Sequence, residues 1–280
     1  MKILNALCLA TLSMLMGCST PSLHIDEKSS VADELNTRYM DTSETCSDGS
    51  AAFHCNGVLV RVSDTLISSK DELDKNTVAF SYMRADARVT ELYKRGTQGI
   101  ILSALPIATT NALSVRCAFA TNAQTDSRPD GCGMTTRVIQ GLEFEWSRHC
   151  DEQGINDEDS WYLHYKKIRY HEAYMCALRP TAYQFALSIK ARKLMLQDFT
   201  TPWNEVVTSA WNVADLKTLP FQAFFFNPQA PQNLVAAQKL QRDFYTYTGI
   251  ILPIVRLDLA AQDRPVFVYS KDDQLLLPTH

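Results

Sequence analysis

The sequence predicts an α+β protein: a mixed β-sheet core with flanking helices, braced by disulfides. Eight strand-like runs and four helical segments follow one another without regular alternation, which argues against a doubly wound sheet. The chain is 46% apolar, enough for a substantial core. Its cysteines sit behind an amino-terminal export signal, the setting in which they oxidise.

In chain order, residues 1–17 read as a cleaved signal. Lys2 precedes an apolar run from Ile3 to Met16 that is too short to span a bilayer comfortably. Leu15, Met16, Gly17 and Cys18 look like the lipobox of bacterial lipoproteins, which makes Cys18 the expected lipid attachment site. The alternative is an ordinary signal cleaved near Gly17 with an incidental cysteine. Ser19 stands where an aspartate would suggest retention at the inner membrane, so the expected location is the cell envelope, as an outer-membrane lipoprotein or a secreted protein. Residues 18–30 then form a polar tether, and residues 31–280 one catalytic-type domain with no linker inside it.

The first helix is expected over Val31–Met40. Strands follow at Gly57–Val62, Thr77–Met83, Gly99–Ser103 and Leu113–Phe119, each short, rich in β-branched or aromatic residues and bounded by turn formers. Acids open a helix over Asp157–Arg169. Another spans Pro180–Leu196, with proline at its start and Lys190, Arg192 and Lys193 late. Strands at Trp203–Trp211 and Phe221–Phe226 precede a helix over Asn233–Tyr247, closed by Gly249. Strands at Ile250–Asp258 and Pro265–Tyr269 complete the order.

Setting aside Cys8 in the signal and Cys18 leaves Cys46, Cys55, Cys117, Cys132, Cys150 and Cys176. Many pairings are open to them. The expectation is neighbour pairing, which closes short loops: Cys46 with Cys55, Cys117 with Cys132, Cys150 with Cys176. No two of these cysteines have the close spacing of a zinc site, and adjacent His149 and Cys150 cannot readily chelate one ion, so no metal is expected.

A formal charge of -4 and scattered basic residues give no stripe of the kind that nucleic-acid binding needs. Gly-rich phosphate loops and the G-x-S-x-G elbow are absent. In "TPWNEVVTSAW", alternation puts Trp203, Glu205, Val207, Ser209 and Trp211 on one face of a strand. A carboxylate between aromatics is either rescued by a partner, held for chemistry, or exposed on an edge strand. Arg61 is a lone cation in "GVLVRV", beside Leu59 and opposite Val58, Val60 and Val62; it is a ligand-phosphate site, half of a structural ion pair, or a residue whose stem snorkels to water. Ser81 lies in "VAFSYMR", with Arg84 just beyond. Glu143 and Glu145 point the same way from a strand beside Trp146, as a carboxylate pair or, the favoured reading, as the wet face of an edge strand. His164 and His171 look like one side of a solvent-facing helix end and form no triad.

The segments "LNTRYMDTSETC", "AAFHCNGVLVRVSD", "VAFSYMRAD", "WYLHY", "WNEVVTSAW", "LPFQAFFF" and "YTYTGIILPIVRLDL", in this order and spacing, resemble the halovibrin-like secreted proteins. That resemblance implies NAD glycohydrolase chemistry, kinship to the ADP-ribosyltransferase fold, NAD or a related nucleotide as substrate and partner, and no separate cofactor. The wider transferase pattern has an arginine on an early strand, a serine on a middle strand and a glutamate on a late one. Arg61, Ser81 and Glu205 occur in that order. Glu205 would be catalytic, with Arg61 and Ser81 binding substrate. Trp203 stands where a transferase carries Glu or Gln, which points to water rather than a protein side chain as acceptor. The gap from Arg61 to Ser81 is shorter than the family's, and Thr109 and Thr110 are alternatives to Ser81. Trp203 also leaves open a non-catalytic envelope lipoprotein that serves as a binding or interaction module.

Overall fold

The computed structural model describes residues 25–92, 97–103, 113–125, 128, 131–132, 149–168, 175–198, 203–260 and 266–275. Within them the order is α1 (Ile25–Met40), β1 (Val58–Val62), α2 (Lys70–Lys75), β2 (Val78–Met83), β3 (Gln98–Leu102), β4 (Val115–Phe119), α3 (Glu158–Lys167), α4 (Ala182–Asp198), β5 (Glu205–Thr208), β6 (Phe221–Phe226), α5 (Pro231–Thr248), β7 (Ile254–Leu257) and β8 (Phe267–Tyr269). The α+β class with a mixed sheet is as expected. All eight expected strand segments and all four expected helices form, and α2 is the addition; α1 begins at Ile25, so the expected tether over 18–30 is helical from that residue on. The leader, Cys18, Thr109, Thr110, Glu143, Glu145, Trp146 and His171 lie outside the described residues. Among the described residues no helix is long and apolar enough to cross a membrane.

Capping chemistry sets the helix ends. Asp157 accepts from the Ser160 amide at the start of α3, while Pro231 opens α5 and Gly249 closes it at φ 73°. The unexpected α2 has a complete capping box, Ser69 with Glu72, and ends on Asn76 in the left-handed region at φ 52°. None of its side chains is buried, so it carries no apolar periodicity.

The strands form one sheet in the order β4-β5-β2-β1-β3-β6-β7-β8. Every neighbouring pair is antiparallel except β6 with β7. β2 changes partner along its length: Ser81 to Met83 pair with β1, whereas Val78 to Phe80 pair with β5. The sheet therefore forks at the Phe80–Ser81 step.

Strand alternation divides the core. Leu59, Phe80, Ile100 and Phe224 face α4 and α5 through Phe185, Ile189, Leu240 and Phe244. Val58, Val60, Ile101 and Phe225 face the other way, onto Ala32 and Leu35 of α1. A further cluster joins Cys117, Phe119 and Val207 to Trp161 and Tyr165 of α3, and to Leu187, Ala191 and Met195 of α4. Because α4 supplies two clusters from opposite sides, it is buried around most of its circumference. Its one fully buried cation, Arg192, donates to the carbonyls of Ala87, Ala120 and Arg88.

The expected disulfides form: Cys46 with Cys55, Cys117 with Cys132, and Cys150 with Cys176. At Gly57, φ is +63° and an added Cβ would meet the Tyr82 ring, so only glycine fits between β1 and that tyrosine. The Tyr82 hydroxyl donates to Asn56 Oδ1 at 2.7 Å.

Candidate functional site

Beyond the fork, β1 and β2 diverge and a cavity of about 700 Å³ opens between them. Its walls include Arg61, Asp64, Glu72, Ser81, Trp203 and Glu205. The three residues selected in the sequence thus line one cavity, contributed by three consecutive strands of the sheet order: β1, β2 and β5.

They do not share a face. Val60 pairs with Ser81, and Phe80 with Val206. One further step of that register brings Ser81 opposite Glu205, so Val60, Ser81 and Glu205 point one way while Arg61 and Phe80 point the other. Arg61 reaches the cavity only because the strands part there.

Glu205 is 7% exposed and its carboxylate accepts the Ala123 amide at 3.1 Å. Ala123 is itself fixed, since its carbonyl accepts Arg128 Nε at 2.8 Å and the Arg128 guanidinium lies 4.4 Å over the Phe119 ring. Phe119 is the cross-strand partner of Glu205. Asn122, Gln124 and Thr125, from the same loop, complete this wall.

Asn204 explains why β5 can begin with a buried acid. Its side-chain amide accepts from the Tyr82 N–H at 2.9 Å and donates to the Tyr82 carbonyl at 3.0 Å. The ladder is thereby continued by a side chain where the strand has not yet begun. Trp203 lines the cavity beside Glu205, as expected. Trp211 does not: β5 ends at Thr208 and the alternation lapses. Trp211 packs with Phe80 and Phe221 on the opposite side, with its indole N–H donated to the Leu66 carbonyl at 2.7 Å.

Arg61 is engaged by α2. Its Nη2 donates to both Glu72 oxygens, at 2.9 and 3.0 Å, and its guanidinium lies 5.2 Å from the Trp211 ring centroid. Glu72 also accepts the Ser69 amide at 2.7 Å, so one carboxylate both caps α2 and holds Arg61. This is the ion-pair alternative read in the sequence. The sequence names no partner for Arg61, although the Ser69-x-x-Glu72 spacing carries the signal of the capped helix that provides it.

His164 departs from its expected place at a wet helix end. It is half-buried, accepts the Cys176 amide at 3.3 Å, and has its pKa pushed down to about 4 by burial and then by Lys167. Arg84, just past β2, is occupied by Asp86 and the Ser43 carbonyl. Among the described residues no group of three His, Cys, Asp or Glu is placed to hold a metal.

The fold and site define an α+β protein with a forked mixed sheet, three disulfides and a carboxylate-bearing cleft at the fork. No family model matches the chain, and no curated protein is significantly similar to it. The functional reading accordingly rests on the cleft.

Proposed function

We propose that the protein is a secreted NAD glycohydrolase, carried on a lipidated Cys18, that cleaves the nicotinamide–ribose bond with water as acceptor. The observation that carries this reading is that Arg61, Ser81 and Glu205, from three neighbouring strands, line one cleft. In the reaction the C1′–N bond breaks and its electron pair passes to the pyridinium nitrogen. Nicotinamide leaves neutral, while water adds its oxygen to C1′ and gives a proton to solvent.

Positive charge develops on the ribose as the bond stretches, and a fixed carboxylate stabilises that charge more than it does the ground state. Glu205 is suited to this role because the Ala123 amide and its place in β5 hold it still. Ser81 is suited to a hydrogen bond with a ribose hydroxyl, and Trp203 to shielding the leaving base from water. A phosphate that approaches the Nη2 of Arg61 would compete there with the Glu72 carboxylate. Transfer to a protein acceptor is the variant of this chemistry that Trp203 disfavours. The three disulfides support an exported chain.

The test is nicotinamide release by the oxidised mature chain and by Glu205→Gln. The variant is expected to keep its circular dichroism spectrum and lose about 10² to 10³ in turnover. Release by neither protein would leave the second reading, a binding module. The Arg61–Glu72 pair specifically favours that one, because it gives the arginine a structural occupation.

A further inference from the structure

Five hydroxyl side chains among the described residues line the cleft: Ser63, Thr65, Ser69, Ser81 and Thr125. The three more exposed ones are spent on the backbone beside them. Ser63 Oγ donates to the Thr65 carbonyl at 2.7 Å, Thr65 Oγ1 to the Ile67 carbonyl at 3.0 Å, and Ser69 Oγ accepts the Glu72 amide at 3.3 Å. Ser81 and Thr125 are the buried pair, at 7% and 4% exposure, and among the described residues neither hydroxyl has a hydrogen-bond partner. That reverses the usual order, in which buried polar groups are satisfied and exposed ones are left to water.

The backbone around Thr125 is tied down. Asn122 Oδ1 accepts the Gln124 amide at 3.0 Å, Gln124 stands in the left-handed region at φ 51°, and the Arg128 amide closes the turn on the Thr125 carbonyl at 3.1 Å. Two residues before Thr125, the Ala123 amide meets the Glu205 carboxylate. Ser81 is fixed by pairing with Val60 of β1. Both residues are thus in place before a ligand arrives, which lowers the cost of binding one.

Resting on the glycohydrolase reading and deepening it, we infer that Thr125 is a specificity-determining residue for the sugar: with Ser81 it receives two hydroxyls of the nicotinamide ribose. Each protein hydroxyl can donate and accept, and so can each sugar hydroxyl, so the pairing closes in either sense. The substrate class is then an N-riboside, selected over its deoxy forms. A site that hydrogen-bonds a substrate hydroxyl is left unpaired by the analogue that lacks it.

The experiment measures the melting temperature, the Kd of NAD from its melting shift, and KM and kcat for nicotinamide release in the parent, Thr125→Val and Thr125→Ser. The ligands are NAD and NAD lacking the 2′ or the 3′ hydroxyl of the nicotinamide ribose. Valine has the shape of threonine without the hydroxyl, and removing a hydroxyl that the protein does not itself bind should leave melting at or above the parent's. Thr125→Val is expected to weaken Kd and raise KM about three- to tenfold with kcat little changed, and Thr125→Ser to recover most of that loss. The parent should prefer NAD to one of the two deoxy forms by a similar factor, and Thr125→Val should lose that preference. A Kd that Thr125→Val leaves unmoved overturns the inference, and so does a fall in its melting temperature, the mark of a structural hydroxyl. Binding of NAD without nicotinamide release defeats the glycohydrolase reading, and a Kd weakened by Thr125→Val upholds the sugar contact even then. Binding of NAD by none of the folded proteins overturns both together.

Discussion

Asn204 does with one side chain what a further residue of β5 would otherwise do. Because its amide meets both backbone groups of Tyr82, Asn204→Ala leaves a buried N–H and a buried carbonyl unpaired. The expected cost is about 2 to 4 kcal/mol, read as a fall in the urea midpoint at constant slope. Asn204→Asp should recover little of it, since an oxygen would then face the Tyr82 carbonyl. His164 supplies a pH-dependent counterpart. Its folded pKa of about 4 lies below the ordinary value of 6.5, so the unfolded chain takes up the proton first as pH falls. Stability is lost between those two values, by roughly 3 kcal/mol in all, and is constant with respect to this group above and below them. His164→Gln should flatten that part of a stability-against-pH curve. An unchanged slope would mean that burial of the imidazole does not govern it.

At the scale of elements, most of the fold was legible because its strands are short apolar runs between turn formers and its helices are capped. β5 shows where alternation misleads. The pattern from Trp203 to Trp211 looks unbroken in sequence, but pairing ends at Thr208, and Trp211 turns to the opposite cluster. The missed α2 shows the converse, since six residues of which none is buried have no periodicity to read. The cleft was legible only as a set of residues. Which faces Arg61, Ser81 and Glu205 occupy depends on the partner exchange of β2, and the wall formed by Ala123 and Arg128 reaches Glu205 from far along the chain. Gly99 ties β3 to this region. A Cβ there would press into the Arg61 carbonyl and the Phe225 ring, so Gly99→Ala should lower stability by about 1 to 3 kcal/mol. It should also reduce nicotinamide release, because β1 carries Arg61. Thermal unfolding and the release assay would separate the two effects.

Across the whole molecule, the disulfides brace the periphery of the sheet. Cys117–Cys132 pins β4 to the loop that reaches Gly131, and Cys150–Cys176 ties the start of the α3 region to the segment before α4. Reduction should cost about 2 to 4 kcal/mol per bridge, measured as the shift in urea midpoint with and without dithiothreitol. Full stability under reducing conditions would refute the bracing role. One other tie has a different consequence. Asn36 of α1 donates to the Phe267 carbonyl and accepts from the amides of Val266 and Phe267, joining residues 231 apart at the sheet edge. A chain delivered amino end first, whether from a ribosome or through a membrane pore, must therefore keep Asn36 of α1 waiting until β8 has emerged. That edge of the molecule is completed late, after residues up to Phe267 have arrived on the same side as α1.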